Sequence, residues 1–206
     1  MHAGESILWA RTRMVPPRFF HESGMRREIR LFFHRKKDPS IFLLQLEKEK
    51  YMEKIASFQI DHLRLLPGLY VSRQDRQGDA VITTFDLRIT APNREPVMDM
   101  PALHTIEHLG ATFLRNGPEK ERVLYFGPMG CRTGCYLLLF GAVSAREAYP
   151  LVLAMCDFIL GFEGPIPGAR PEECGNYSEQ NLNMAKYYIR RYRQELEQHR
   201  RFEYPA

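Results

Sequence analysis

From residue 63 onward the chain moves between two kinds of hydrophobic spacing. In LRLLPGLYVSRQD (63–75) and DAVITTFDLRITAP (79–92), apolar and β-branched residues follow the pattern of extended chain, and the polar, glycine-containing RQDRQGDA (73–80) between them reads as a turn. ALHTIEHLGATFLRN (102–116) changes to the helical period. Asp99 is placed to cap its first turn, and Pro101 is tolerable there because the N–H it lacks has no intrahelical partner. ERVLYFG (121–127) and CYLLLFGAV (135–143) return to strand, joined by PMGCRTG (128–134). Ser144 and Glu147 then form an S-x-x-E capping box that opens a helix to about Leu160. GFEGPIPGARPEECGNY (161–177) reads as loop, and a polar, basic helix is expected from Ser178 to His199. Strands and helices mixed without strict alternation predict an α+β fold, a mainly antiparallel sheet packed against helices. There is no internal repeat.

The first 51 residues break this order. No sustained period runs through them, and they hold Trp9, a Pro-Pro and several arginine clusters. They carry 11 of the chain's 29 Lys and Arg but 6 of its 25 Asp and Glu, so residues 52–206 hold the other 18 and 19 and are near neutral. The formal charge of +4 is therefore not a nucleic-acid-binding surface on the body of the protein. A basic start suits an organellar transit peptide or a nucleic-acid or membrane tail, although it is not free of acids and lacks a clean amphipathic repeat. A third reading carries more weight: LEKEKYM (46–52) back-translates to an almost pure purine tract before a methionine codon, as a ribosome-binding site read in frame would. On that expectation Met52 is the true start, residues 1–51 are a disordered extension or an upstream mis-start, and 52–206 is the catalytic domain.

Composition narrows the class. At 206 residues, 44% hydrophobic and 26% charged, the chain has the balance of a globular protein with one full core. No apolar run approaches the ~20 residues a bilayer requires. The start shows no secretory pattern, which makes the cytoplasm the expected compartment and makes the four cysteines thiols or ligands before disulfides.

The chemistry begins at HTIEHL (104–109). On a helix, His104 and His108 are one turn apart on one face and reach a single metal ion, with Glu107 beside them as a base. Two helix histidines are also what a solvent-exposed or capping pair looks like. H-x-x-E-H is the inverted zinc-peptidase motif, and it requires a third ligand. Cys174, in the loop sequence EECGNY, is a candidate: three protein ligands of the His₂Cys type leave the fourth position to water or substrate. Cys156, among apolar neighbours, reads as an ordinary buried cysteine. Cys131 sits in GPMGCRTG, where glycines on both sides let a ligand approach the backbone, and Arg132 is placed to favour its thiolate. Cys131 and Cys135 also form C-x-x-x-C, a redox or metal pair, against which strand alternation makes Cys135 an ordinary strand residue.

SFQIDH (57–62), FDLR (85–88) before PN (92–93), HTIEHL (104–109), GPMGCRTG (127–134) and ECGNY (173–177), in this order and at these spacings, resemble the LuxS family of S-ribosylhomocysteine lyases over about residues 54–195. Family members begin a few residues before their Ser-Phe-x-x-Asp-His, in keeping with Met52. The resemblance implies an α+β sandwich similar to that of the inverted zinc peptidases. It implies a cytoplasmic homodimer with active sites at the interface, acting on the small molecule S-ribosylhomocysteine, with neither nucleic acid nor membrane as a partner. It implies that His104, His108 and Cys174 bind one divalent metal per subunit, Fe(II) with Zn(II) or Co(II) as substitutes, and that no organic cofactor is needed. Glu107 and Cys131 would be the acid/base pair. Ser57, His62 and Arg88 would line the substrate pocket, the first two reaching it from the neighbouring subunit. The reaction implied splits the thioether into homocysteine and 4,5-dihydroxy-2,3-pentanedione, precursor of the quorum-sensing signal autoinducer-2 and a step of the activated methyl cycle.

There are departures. Many family members carry Asp-x-Ser before Pro-Met-Gly-Cys, where this chain has Tyr125 and Gly127, and position 135, often aromatic, is Cys135. Two other functions remain open on the residues alone. A metallopeptidase needs an acidic third ligand such as Glu147 or Glu163. A structural zinc module needs a fourth, such as Cys131.

Overall fold

The computed structural model describes residues 55–205, so the expectations for residues 1–51 lie outside it. Its elements are α1 (Ala56–Gln59), β1 (Gly68–Gln77), β2 (Ala80–Arg88), α2 (Met100–Asn116), β3 (Val123–Pro128), β4 (Gly134–Phe140), α3 (Ala145–Gly161) and α4 (Leu182–His199), with a 3₁₀ turn at Lys120–Arg122. The four strands form one sheet in the order β1-β2-β4-β3, antiparallel throughout. The α+β expectation holds. No helix among the described residues is long and apolar enough to cross a membrane.

Strand alternation divides the sheet into two faces. Phe85 and Leu87 pair with Leu137 and Cys135, and these side chains are buried in the core. Helices cover that face with Leu103, Ile106 and Leu109 of α2, Val152 and Ile159 of α3, and Ile189 and Leu196 of α4. Each such side chain contributes about 1.5–3 kcal/mol on leaving water. Thr84, Asp86 and Arg88 point to the second face with Tyr136 and Leu138. One end of that face is overlaid by α1 and the residues after it and by Tyr204 near the C-terminus.

Local signals place the elements. Asp99 Oδ1 accepts the Ala102 N–H at 3.0 Å with Pro101 in the first turn, and Ser144 and Glu147 form the reciprocal capping box of α3. β1 begins at Gly68 instead of Leu63, because the Arg64 and Leu65 N–H groups turn back to the Asp61 carbonyl. A one-residue bulge at Ser72 shifts the register between Val71 and Arg73 and leaves Ser72 on the walls of two adjoining cavities. The last helix starts at Leu182, four residues later than its composition suggests. The Asn181 N–H is committed to the Pro101 carbonyl and the Thr105 hydroxyl, the Glu179 carbonyl faces His104, and the Asn181 side chain caps Met184. Tertiary hydrogen bonds here outcompete the first turn of a helix.

Candidate metal centre and thiol cavity

His104 and His108 stand on the half-buried flank of α2, one turn apart, as the spacing predicts. Their rings meet edge to face, with the two Nε2 atoms 2.9 Å apart. Cys174 arrives from the loop before α4, its sulfur 3.3 Å from His104 Nε2. The three ligand atoms lie within 4.8 Å of one another, and among the described residues they are the cluster suited to a metal ion.

The hydrogen bonds behind the rings decide what the cluster fits. His108 Nδ1 is 2.7 Å from the Pro167 carbonyl and His104 Nδ1 is 3.0 Å from the Glu179 carbonyl. A carbonyl only accepts, so each Nδ1 carries the proton and each Nε2 presents a bare lone pair. The two bare nitrogens repel one another until a cation stands between them, and the Cys174 sulfur, within hydrogen-bond reach of His104 Nε2, completes a three-donor set around that point. A tetrahedral ion at ~2.1 Å would hold such nitrogens ~3.4 Å apart, a small opening of the present 2.9 Å. The donor set therefore fits a divalent metal. Gly168, at φ +72°, brings the loop against the His108 ring, where an added Cβ would lie 3.1 Å from Nδ1.

The acidic third ligand a metallopeptidase needs is not at the cluster: Glu147 is spent on the cap of α3 and Cys174 fills the position. Cys131 is no fourth ligand in that cluster either, against a closed structural site. Glu107 is half-buried beside His108 and makes no hydrogen bond or ion pair among the described residues.

Cys131 belongs to a separate cavity of about 230 Å³ on the second face of the sheet. Ser57, His62 and Arg88 line it with Asp86, Tyr136 and Tyr204, whereas His104, Glu107, His108 and Cys174 are not in its walls. Ser57 and His62, expected from a neighbouring subunit, thus stand with the thiol of their own chain, apart from the metal cluster. Ser57, Ser72 and Tyr136 are shared with an adjoining hollow of about 400 Å³ that also takes in Tyr125 and Arg73.

The thiol is tuned from below. Burial pushes Cys131 up, but the Thr133 hydroxyl at 3.1 Å, the Thr133 backbone and the Arg88 guanidinium at 3.8 Å outweigh it and leave the thiol below its ordinary value. Arg132 was the expected cation. Instead its backbone turns the loop at φ 59° and its carbonyl takes the Met98 N–H, while the guanidinium at the sulfur comes from Arg88, 43 residues away in sequence. Arg88 is 3% exposed and bonds Asp86 and Thr133, each at 2.5 Å. Tyr204 donates to the same Asp86 oxygen at 3.0 Å and stacks on Tyr70 with ring centres 4.7 Å apart. Asp86 and Tyr204 carried no sequence motif linking them to the thiol. The F-D-L-R alternation placed Asp86 beside Arg88, and only the fold brings Tyr204.

The remaining cysteines are core. Cys135 is fully buried, with its thiol pushed up by burial and by the Glu107 and Asp86 charges, and Cys156 is pushed up to about 12 by burial. Both Cys131 and Cys135 are free, so C-x-x-x-C is not a disulfide here.

Known proteins place this architecture. The family model of S-ribosylhomocysteinase (LuxS) matches residues 55–203. A S-ribosylhomocysteine lyase of Finegoldia magna is 59% identical over 141 residues, covering 68% of this chain and 90% of the relative. That of Clostridium acetobutylicum is 57% identical over 142 residues, with coverage of 68% and 90%, and that of Borreliella burgdorferi is 53% identical over 146 residues, with 70% and 93%. With its metal-fitting triad, its tuned thiol and its four-stranded sheet matched along that whole span, the chain belongs to the S-ribosylhomocysteinase (LuxS) family.

Proposed function

We propose that the protein is a metal-dependent carbon–sulfur lyase that converts S-ribosyl-L-homocysteine to L-homocysteine and 4,5-dihydroxy-2,3-pentanedione. The observation that carries this reading is the pairing of a three-ligand metal cluster with a thiol tuned toward its thiolate. A thioether carbon is not a leaving site by itself. The ribose carbonyl must first be moved along the chain by enediolate isomerisations until a C–H next to it is acidic enough for β-elimination to expel the homocysteine thiolate. The atoms of the substrate are divided between the two products, so no oxidant, reductant or organic cofactor enters.

Each isomerisation moves a proton from carbon and leaves charge on oxygen. A divalent metal held by His104 Nε2, His108 Nε2 and Cys174 Sγ supplies Lewis-acid stabilisation of that charge, worth several kcal/mol. The Cys131 thiolate takes a proton from carbon and returns it one position along, and Arg88 keeps it ionised between steps. Glu107, which has no hydrogen bond or ion pair among the described residues, exchanges protons at the opposite end of the sugar. Ser57 and His62 orient the hydroxyls.

Thiol cavity and metal cluster share no lining residue within one chain, so we assign the complete centre to a homodimer in which one subunit's triad and Glu107 face its partner's Cys131 cavity. Phe58 in the wall of the thiol cavity and Ile55 in that of the adjoining hollow, 69% and 59% exposed, support such a contact. Iron as the ion, a cytoplasmic setting and use of the dione as a signal precursor belong to the same proposal. A thiolate ligand and a tuned thiol beside Fe(II) make the enzyme oxygen-sensitive. The test is homocysteine release, followed with a thiol-reactive dye, from S-ribosylhomocysteine and anaerobic Co(II)- or Fe(II)-loaded protein. Metal-dependent release that Cys131→Ala abolishes while retaining the metal is expected. No release from protein shown to hold its metal overturns the assignment.

A further inference from the structure

The two histidines of the cluster are held from behind in different ways. His108 Nδ1 has the Pro167 carbonyl of the loop. His104 Nδ1 has a carbonyl too, from Glu179, but it also has the carboxamide of Gln180 at 3.2 Å. The far end of that carboxamide lies 2.8 Å from the hydroxyl of Thr105, the next residue on α2 and fully buried.

Proton counting orients the amide. Thr105 Oγ1 accepts the Asn181 N–H at 2.9 Å, and its one proton has the Pro101 carbonyl at 2.9 Å, the acceptor one turn back in the helix. The structure sets the amide oxygen toward Thr105 and the NH₂ group toward His104. The Nδ1 proton that the Glu179 carbonyl requires leaves that NH₂ nothing to donate to, whereas with the ends exchanged the NH₂ meets a Thr105 lone pair, its proton kept on Pro101, and the amide oxygen meets the Nδ1 proton. A half-turn about the last side-chain bond exchanges the two ends at no steric cost. In this orientation Gln180 accepts the Nδ1 proton, and Nε2 is left bare for a metal. In the other orientation an amide N–H opposes the Nδ1 proton that the Glu179 carbonyl accepts, and that opposition favours the tautomer with the proton on Nε2, which blocks the metal-binding lone pair.

We propose that Gln180 is a positioning residue of the metal centre: its carboxamide, oriented by Thr105, holds His104 in the tautomer that binds metal. The inference rests on the reading of His104, His108 and Cys174 as metal ligands, and it concerns affinity instead of turnover. It also explains why residues 178–181 leave the helix, since that detour sets Gln180 and the Glu179 carbonyl behind one imidazole.

The test is Co(II) binding by the whole chain, read by chelator competition and by the thiolate-to-cobalt and ligand-field absorption bands. Gln180→Leu, similar in size and unable to accept, should weaken Co(II) roughly 10- to 100-fold, the usual cost of losing an outer partner of a ligating histidine. Gln180→Glu, which in its ionised form only accepts, keeps an acceptor at Nδ1 once the Thr105 hydroxyl turns its proton from Pro101 to the other carboxylate oxygen, and should bind more tightly than Gln180→Leu. The same thermal midpoint for the metal-free variants and parent separates this effect from a general loss of structure. Gln180→Leu binding within about twofold of the parent, or Gln180→Glu weakening as much as Gln180→Leu, overturns the inference and leaves the metal centre standing. A parent chain that binds no Co(II), like a His104→Ala control, overturns the metal centre itself and the inference with it.

Discussion

Arg88 reaches Cys131 across the end of the sheet, with Nη1 3.8 Å from the sulfur and 2.5 Å from the Thr133 hydroxyl that also touches it. The guanidinium cannot drift away, because Asp86 holds its other nitrogen at 2.5 Å. A thiol so placed is alkylated as its thiolate well before an ordinary cysteine of pKa ~8.5. Iodoacetamide rates across pH should therefore show a Cys131 midpoint below the ordinary value, and Thr133→Val, which removes the nearer hydrogen bond, should move that midpoint up. Cys135 and Cys156 are buried and should stay silent. Cys131→Ala identifies the fast phase.

Asp86 and Arg88 stand as a buried ion pair, 2% and 4% exposed at their side chains. Removing one partner strands the other charge, so Asp86→Leu should cost about 3–5 kcal/mol in urea unfolding, while Asp86→Leu combined with Arg88→Met should recover much of it. Tyr204→Phe keeps the ring on Tyr70 but removes a hydrogen bond to a charged oxygen, and should cost about 1.5–3 kcal/mol.

Gly134 opens β4 where the strand crosses closest to β2. A Cβ there would run into the Leu87 carbonyl, which is backbone and part of the ladder. Gly134→Ala should lower stability by about 1–3 kcal/mol, as overpacking of a closed site does. The Cys131 loop is anchored on this strand end through the Met129 N–H and the Gly134 carbonyl, so the same variant should lose thiol reactivity at neutral pH.

Glu95 accepts the Ala91 N–H at 2.7 Å and pairs with Arg191 of α4. Burial raises its carboxyl, but the Ala91 hydrogen bond and Arg191 outweigh this and leave it below the usual range. A depressed carboxylate stabilises the fold above its unfolded pKa of ~4.3, and that contribution disappears as pH falls through the folded value. Glu95→Gln should therefore be less stable than the parent at pH 7, with the gap closing in acid below pH ~4 when both are unfolded by heat.

Stripping the metal removes a ligand that binds only the folded triad. Free metal at about 100 times its Kd should raise unfolding free energy by about 2.7 kcal/mol over the chelated protein, and His104→Ala should abolish the difference. Calorimetry with and without chelator measures both.

The sequence made the metal side readable because its cues are local. Two histidines at helical spacing define one face, Asp99 fixes where that helix begins, and Cys174 stands in a loop with no disulfide partner to explain it. The thiol side was less readable. Arg88 precedes Cys131 by 43 residues and Tyr204 follows Asp86 by 118, and nothing in composition joins them until the strands pair. Arg132 was the natural choice by adjacency, yet adjacency along a turn says little about which side chain faces the sulfur. The start of α4 was missed for a related reason: Ser178 looks like a helix N-cap, but Asn181 is the cap, and its N–H is used by α2.

Tyr125 and Gly127 are coupled through space. The phenol lies where a side chain on residue 127 would begin, so the two features exclude each other in this arrangement. A side chain placed on residue 127 therefore needs the ring, 45% exposed, to swing into solvent. Gly127→Ser in this chain is a change at two positions, since it moves Tyr125 as well. The two positions should evolve as one character, and relatives with Tyr at the first should lack a side chain at the second.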